Sequence, residues 1–191
     1  MAFTMAEPVS RLAVAIWWRA RRMTAKAMAR RGSEARLRDG PIRQVLVVCH
    51  GNIYRSALVG RYLMQHLPDG VSVRSGGFHP VAGRPAPERH VLYSRRYGVD
   101  LAEHRSAVID SSDIEWADTI VLMDSRNWQA LMNLGAPRDR LVWLGVLDGA
   151  GAEIPDPDRL GDDESAVVAD RLHRCARLLV ARIRQAQPGV S

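Results

Sequence analysis

Two periodicities of apolar residues alternate along this chain. Val45–Val48, Thr119–Met123 and Leu141–Leu144 are short apolar runs bounded by polar residues, the pattern of strands buried on both faces. Val71–Ser75 is expected to add a fourth strand, after the turn Pro68-Asp69-Gly70. Between and after the strands the spacing becomes helical, at Ser56–Leu67, Pro87–Tyr97, Ser112–Trp116, Ser125–Leu134 and Asp163–Gln185. Gly98 is placed to end the second of these helices as the residue just past its C-terminus. Gly76–Pro87 and Gly145–Gly161 read as loops. Strands alternating with helices predict an α/β fold: a three-layer, doubly wound, four-stranded parallel sheet with right-handed crossovers. In such sheets ligands bind at the carboxyl ends of the strands, near the switch point.

Ahead of this pattern lies a different segment. Ser10–Arg31 reads as an extra N-terminal amphipathic helix, with Ser10 its N-cap and Gly32 its stop. Leu12, Ala13, Ile16, Trp17, Ala20, Met23, Ala27 and Met28 share one side, and Arg11, Arg19, Arg22 and Lys26 the other. Ser33–Gly40 reads as a linker, giving an extension over 1–40 and one domain over 41–191. Two tryptophans opposite a basic face suit a helix lying on anionic lipid, so peripheral membrane contact through residues 10–31 is one expectation. Packing on the domain or on a second subunit, a frayed tail, and a true start at Met23 or Met28 are the others. No apolar run approaches the roughly 20 residues that a membrane span needs. Nor does the segment resemble a secretory signal, because arginines follow the apolar run at once.

Charge sharpens this division. Residues 1–40 hold nine Lys or Arg and three acidic residues, whereas the rest of the chain holds 18 of each. The whole excess of +6 belongs to the extension, so it does not make the domain a nucleic-acid binder. Two cysteines are too few for a disulfide framework, and a reactive thiolate needs reducing surroundings, so a cytoplasmic protein is expected.

The candidate chemistry follows the first strand. In Cys49-His50-Gly51-Asn52-Ile53-Tyr54-Arg55-Ser56 a cysteine ends the strand, and Arg55 and Ser56 open a helix. A strand, a short loop and a helix N-terminus form a natural anion cradle of backbone N–H groups. Gly51 and Asn52 supply the permissive backbone. The same donors stabilise a thiolate, so Cys49 is expected to be a low-pKa nucleophile. The Arg55 fork matches two phosphoryl oxygens, and Ser56 is placed to hydrogen-bond the sulfur. Sulfur attack on phosphorus is the chemistry this C-x5-R-S loop implies.

The stretch V-C-H-G-N-I-Y-R-S resembles the V-C-x-G-N-x-C-R-S signature of the low-molecular-weight protein tyrosine phosphatases. The resemblance runs from about Val45 to about Ile183. It implies a phosphocysteine mechanism without a metal or cofactor, with Cys49, Arg55 and Asp156 catalytic and His50, Gly51, Asn52, Ile53, Tyr54 and Ser56 around the phosphate. Asp156, in the Asp156-Pro157 pair, takes the acid's place; Asp158 is the alternative. Ser75 corresponds to the serine that bonds the loop asparagine, and His104 to the histidine behind the loop. The implied substrate is phosphotyrosine in protein, a polysaccharide-export tyrosine kinase being one candidate.

The sequence departs from the pattern in three places. Asp158 stands where many relatives carry a cleft aromatic, and Tyr54, Trp128 and Trp143 are candidate substitutes. Tyr54 replaces the second loop cysteine, which leaves Cys49 without a disulfide partner and predicts easier peroxide inactivation. Ile53 resembles the tyrosine-specific relatives, whereas phosphoarginine-specific ones carry a small Thr there. A non-enzymatic phosphoprotein-binding module, a phosphoarginine phosphatase and an arsenate reductase are the competing functions. The last needs two more cysteines in mid-chain, where this sequence has none.

Overall fold

The computed structural model describes residues 11–187, and their side chains from Ile16 onward. Four strands form one parallel sheet: β1 (Gln44–Cys49), β2 (Ser72–Gly77), β3 (Thr119–Leu122) and β4 (Leu141–Trp143), in the order β2-β1-β3-β4. Val45 pairs with Val73 on one side and Thr119 on the other, and Val121 pairs with Val142. The chain leaves β1 toward one edge and returns for β3 toward the other. The switch point therefore lies between the ends of β1 and β3, at Cys49 and Met123.

The two-residue period of the strands sorts the core into two halves. Val45, Val47, Val121 and Val142 pack beneath α2 (Arg55–His66) and the last helix, Asp162–Ala186. Leu46, Val48, Ile120, Leu122 and Trp143 face the opposite way, onto Ile114, Trp128 and Leu131. Those three lie on α4 (Ser111–Trp116) and α5 (Ser125–Asn133). Between α2 and α4 comes α3 (Glu88–Arg95), which stops two residues short of the expected Tyr97 and runs into a turn that ends in Gly98 at φ 73°. The last helix, α6, buries Val168, Leu172, Cys175, Leu179 and Ile183, but Val167 points to solvent.

The N-terminal helix departs from the expectation. α1 spans Arg11–Arg36, running straight through Gly32 and the first half of the stretch read as a linker. Ser10, read as its N-cap, lies outside the described residues, as do the side chains of Leu12 and Ala13. Packing overrides the glycine: an interior Gly costs a helix only about 1 kcal/mol. Against that, the next turn is buried, with Ser33 and Leu37 against the core. The Ser33 hydroxyl donates to the Ala29 carbonyl (2.7 Å) and accepts from the Trp143 amide (2.9 Å). Arg36 donates to the Asp118 carbonyl and carboxylate.

The inward side of α1 is not its most hydrophobic one. Ala25, Ala29 and Ser33 face the sheet near β4, because small residues let the helix approach closely, and Trp18 packs edge-on against Trp128. Ile16, Trp17, Met23 and Met28 face outward. No described helix is long and apolar enough to cross a membrane.

Candidate active site

Cys49 ends β1 at the switch point, and its loop returns immediately into α2. The thiol is buried. Its Sγ lies 3.0 Å from Ser56 Oγ and 3.2 Å from the Asn52 amide, which donates to it. These are two of the donors expected around a thiolate.

Asn52 is the brace. It is fully buried and has φ 48°, a left-handed backbone that only a residue with strong local bonding adopts cheaply. Its Nδ2 donates to Ser56 Oγ (2.9 Å) and Ser75 Oγ (3.2 Å), and its Oδ1 accepts from the Ala107 amide (2.9 Å). His104 Nε2 lies 2.6 Å from the Asn52 carbonyl oxygen. That oxygen can only accept, so Nε2 carries the proton. Burial holds His104 below its ordinary pKa, partly offset by this bond, and keeps the ring neutral. Gly77 is required behind the loop: a Cβ there would sit 2.7 Å from the His50 carbonyl oxygen and 2.9 Å from the Asn52 nitrogen. The structure thus brings both supporting residues, Ser75 and His104, to the loop.

Arg55 is buried with its guanidinium between two carboxylates. Nη1 donates to Asp124 Oδ2 (2.6 Å) and to the Ile154 carbonyl (3.1 Å), and Nη2 donates to Asp156 Oδ2. Burial by itself would lower the Arg55 pKa, but Cys49, Asp156 and Asp124 outweigh it and hold it above its ordinary value. Asp124 was not singled out in the sequence. Its other oxygen caps α5, accepting from the Arg126 and Asn127 amides at 2.9 Å each. The available signal was an Asp directly after a buried strand and at the start of a helix.

The acid-bearing loop is tied down on several sides. The Ile154 amide donates to the Met123 carbonyl (2.8 Å), anchoring the loop to the end of β3. Arg89 on α3 donates to the carbonyls of Pro157 (3.0 Å), Asp158 (3.1 Å) and Leu160 (3.2 Å). Arg171 on α6 donates to the Glu153 carbonyl (2.7 Å) and pairs with Asp148. Arg89 and Arg171 carry no sequence signal of this role.

These elements enclose a cavity of about 210 Å³. Cys49, His50, Gly51, Ile53, Tyr54 and Arg55 form its floor, and Asp156, Asp158, His79, Arg84 and His90 its walls. Arg84 Nη2 donates to the Gly51 carbonyl (2.6 Å). Of the acids in the long loop only Asp156 and Asp158 reach the cavity. Asp148 and Glu153 are engaged elsewhere, with Arg171 and Lys26. Among the aromatic substitutes considered, Tyr54 lines the cavity, stacked on His90 with ring centroids 3.9 Å apart. Trp128 and Trp143 do not. They belong to the core half on the far side of the sheet, beneath α1. Cys175 is buried on α6, and burial pushes its thiol up to about 12.

The sequence model for the low molecular weight phosphotyrosine protein phosphatases matches residues 44–188. The probable low molecular weight protein-tyrosine-phosphatase EpsP of Ralstonia nicotianae is 39% identical over 119 residues, covering 62% of this chain and 80% of that protein. Among solved structures, Vibrio vulnificus Wzb in complex with benzylphosphonate superposes with a TM-score of 0.66 at 26% identity, covering 73% of this chain and 98% of that one. The YwlE arginine phosphatase of Geobacillus stearothermophilus shares the fold, with a TM-score of 0.68 at 23% identity over 76% of this chain and 95% of its own. With a family match across three quarters of the chain and the loop geometry that goes with it, this protein belongs to the low molecular weight phosphotyrosine protein phosphatase family.

Proposed function

We propose that this chain hydrolyses phosphotyrosine in protein through a phosphocysteine on Cys49. As a family member it is a protein-tyrosine phosphatase, a phosphoric monoester hydrolase. The observation that carries the assignment of roles is the convergence on one cavity of a buried thiol, a buried guanidinium and one half-exposed carboxyl group. Cys49 Sγ attacks phosphorus as the ester P–O bond breaks. Asp156, protonated, gives its proton to the leaving phenolic oxygen. Arg55 and the loop amides hold the charge that develops on the phosphoryl oxygens. In the second step Asp156 takes a proton from water, the water oxygen bonds to phosphorus, and the S–P bond breaks. Ser56 and the Asn52 amide receive the returning thiolate. Arg55 Nη2 now holds Asp156. A phosphoryl group entering the cradle competes for that donor and frees the carboxyl group for proton transfer.

Ile53 on the cavity floor favours tyrosine over phosphoarginine, by the resemblance described above. An arsenate-reductase relay finds no support, because Cys175, the other cysteine, is buried on α6. We place the protein in the cytoplasm with α1 against an anionic membrane surface. There a polysaccharide-export tyrosine kinase is the substrate we favour.

The test is hydrolysis of p-nitrophenyl phosphate and of a phosphotyrosine peptide without added metal. Cys49→Ser should abolish both activities, Asp156→Ala should lower both by about 10²-fold or more, and quenched wild-type protein should carry phosphate on Cys49. Activity surviving Cys49→Ser would defeat the mechanism, and binding of the peptide without turnover would leave a phosphoprotein-binding module.

A further inference from the structure

A second concavity lies on the opposite side of the sheet from the core half beneath the Cys49 cavity, between α1 and the turn Arg138–Arg140. It is an open groove of about 460 Å³, the size of a small-molecule site. Trp128, Trp143 and Leu141 form its floor, and Trp17, Ala20 and Met28 of α1 its outer wall. Three guanidinium groups stand at its rim, those of Arg21, Arg31 and Arg138. Arg21 lies 4.3 Å above the Trp17 ring, and Arg138 6.0 Å from that of Trp128. Among the described residues none of the three has a carboxylate within 4 Å.

The groove does not stop at its rim. Its apolar wall continues onto the outward side of α1, where Ile16 (59%), Trp17 (49%), Met23 (65%) and Met28 (61%) are exposed. Flanking this stripe are Arg19 and two cations that already hold carboxylates, Lys26 with Glu153 and Arg30 with Glu34. A monomeric surface rarely leaves so many large apolar side chains together without a use. An apolar slot ringed by cations and opening onto a basic apolar stripe is complementary to a molecule with an acyl chain and an anionic head.

We propose that this groove binds an anionic phospholipid, its acyl chain against Trp128 and Trp143 and its phosphate beside Arg21, Arg31 and Arg138. The proposal rests on the membrane placement above and deepens it: α1 does not merely lie on lipid but opens a lipid site between itself and the domain. It is independent of the Cys49 chemistry, from which the groove is separated by the sheet.

The test uses the full chain with vesicles of phosphatidylglycerol and phosphatidylcholine, against vesicles of phosphatidylcholine alone. The protein should sediment with the anionic vesicles only, and less so as salt rises. The variant R21Q/R31Q/R138Q should weaken partitioning by about fivefold for each charge removed. Its hydrolysis of p-nitrophenyl phosphate without vesicles should be unchanged, which reports that it is folded. Phosphatidylglycerol with brominated acyl chains should quench tryptophan emission, and still do so in W17F/W18F, through Trp128 and Trp143. Quenching that disappears in W17F/W18F while sedimentation persists overturns the groove and leaves the membrane placement standing. Failure to sediment with anionic vesicles overturns both and leaves the phosphatase reading untouched. A dimer in vesicle-free buffer that does not bind vesicles would give the groove to a second copy and overturn the lipid assignment.

Discussion

Lys26 Nζ lies 2.5 Å from Glu153 Oε2, so a residue of the N-terminal helix grips the loop that carries Asp156. Glu153 also accepts from the Ser125 amide (2.8 Å), beside the Asp124 that holds Arg55. Burial would raise the Glu153 pKa, but Lys26 and Ser125 outweigh it and hold it below its ordinary value. A helix outside the family-matched region thus reaches, through one carboxylate, the two segments that carry the carboxylate partners of Arg55.

The half-exposed pair should contribute little to stability. Lys26→Met is expected to cost no more than about 1 kcal/mol in urea unfolding. Its effect should appear in kcat for substrates with poor leaving groups, which need the Asp156 proton, and less for p-nitrophenyl phosphate. A several-fold fall restricted to poor leaving groups, rescued by Lys26→Arg, is the expected result. An equal fall for all substrates would mean general destabilisation.

Asp124 has two tasks that substitution can separate. Asp124→Ala removes both the α5 cap and the partner of Arg55. Asp124→Ser keeps a capping oxygen but not the charge. Losing the cap alone should cost about 1 kcal/mol. Displacing Arg55 by an ångström should cost about 10²-fold in kcat/KM. Both variants leave the buried Arg55 short of a partner, so Asp124→Ser should be more stable than Asp124→Ala by about the value of the cap while sharing its low activity. Thermal melts together with kcat/KM check both halves.

His90 gives stability a pH dependence of known sign. It is buried against Tyr54, and burial is the main cause that lowers it to about 4. An unfolded histidine titrates near 6.5. As pH falls below 6.5 the unfolded chain takes the proton first, so stability is full above 6.5 and is lost toward pH 4. The difference corresponds to at most about 3 kcal/mol. His90→Phe keeps a stacked ring and should flatten this part of the melting curve against pH. An unchanged slope would place the dependence on other groups.

Asp158 puts a carboxylate on the cavity wall where an aromatic ring would grip the substrate. Asp158→Tyr should lower KM for a phosphotyrosine peptide by about three- to tenfold, given what one aromatic contact contributes, with kcat little changed. A fall in kcat instead would show that Asp158 takes part in proton transfer.

The two cysteines should differ sharply toward alkylation. Cys175 is buried with its thiol pushed up to about 12, whereas Cys49 lines the open cavity. Iodoacetamide should label Cys49 alone in the folded protein, inactivating it, and vanadate should protect. Peroxide should inactivate without forming an internal disulfide, since Tyr54 occupies the neighbouring loop position. Mass spectrometry after each treatment reads the outcome.

What the linear chain determined was local. The apolar runs of β1, β3 and β4, the loop from Cys49 to Ser56 and the Asp156-Pro157 pair each specify their own geometry within a few residues. The parallel sheet then follows from their alternation, and the switch point places Cys49 at its crevice. What only the tertiary structure decided depended on residues far apart in sequence. Asp124 meets Arg55 because β1 and β3 are neighbours, across 69 positions of chain. Arg89, Arg171 and Lys26 reach the acid loop from three separate helices. The course of α1 through Gly32, and its choice of Ala25, Ala29 and Ser33 as the inward side, came from the fit against β4 rather than from hydrophobicity. Close approach decides helix docking, and the space available for it is a property of the folded partner surface that no single segment encodes.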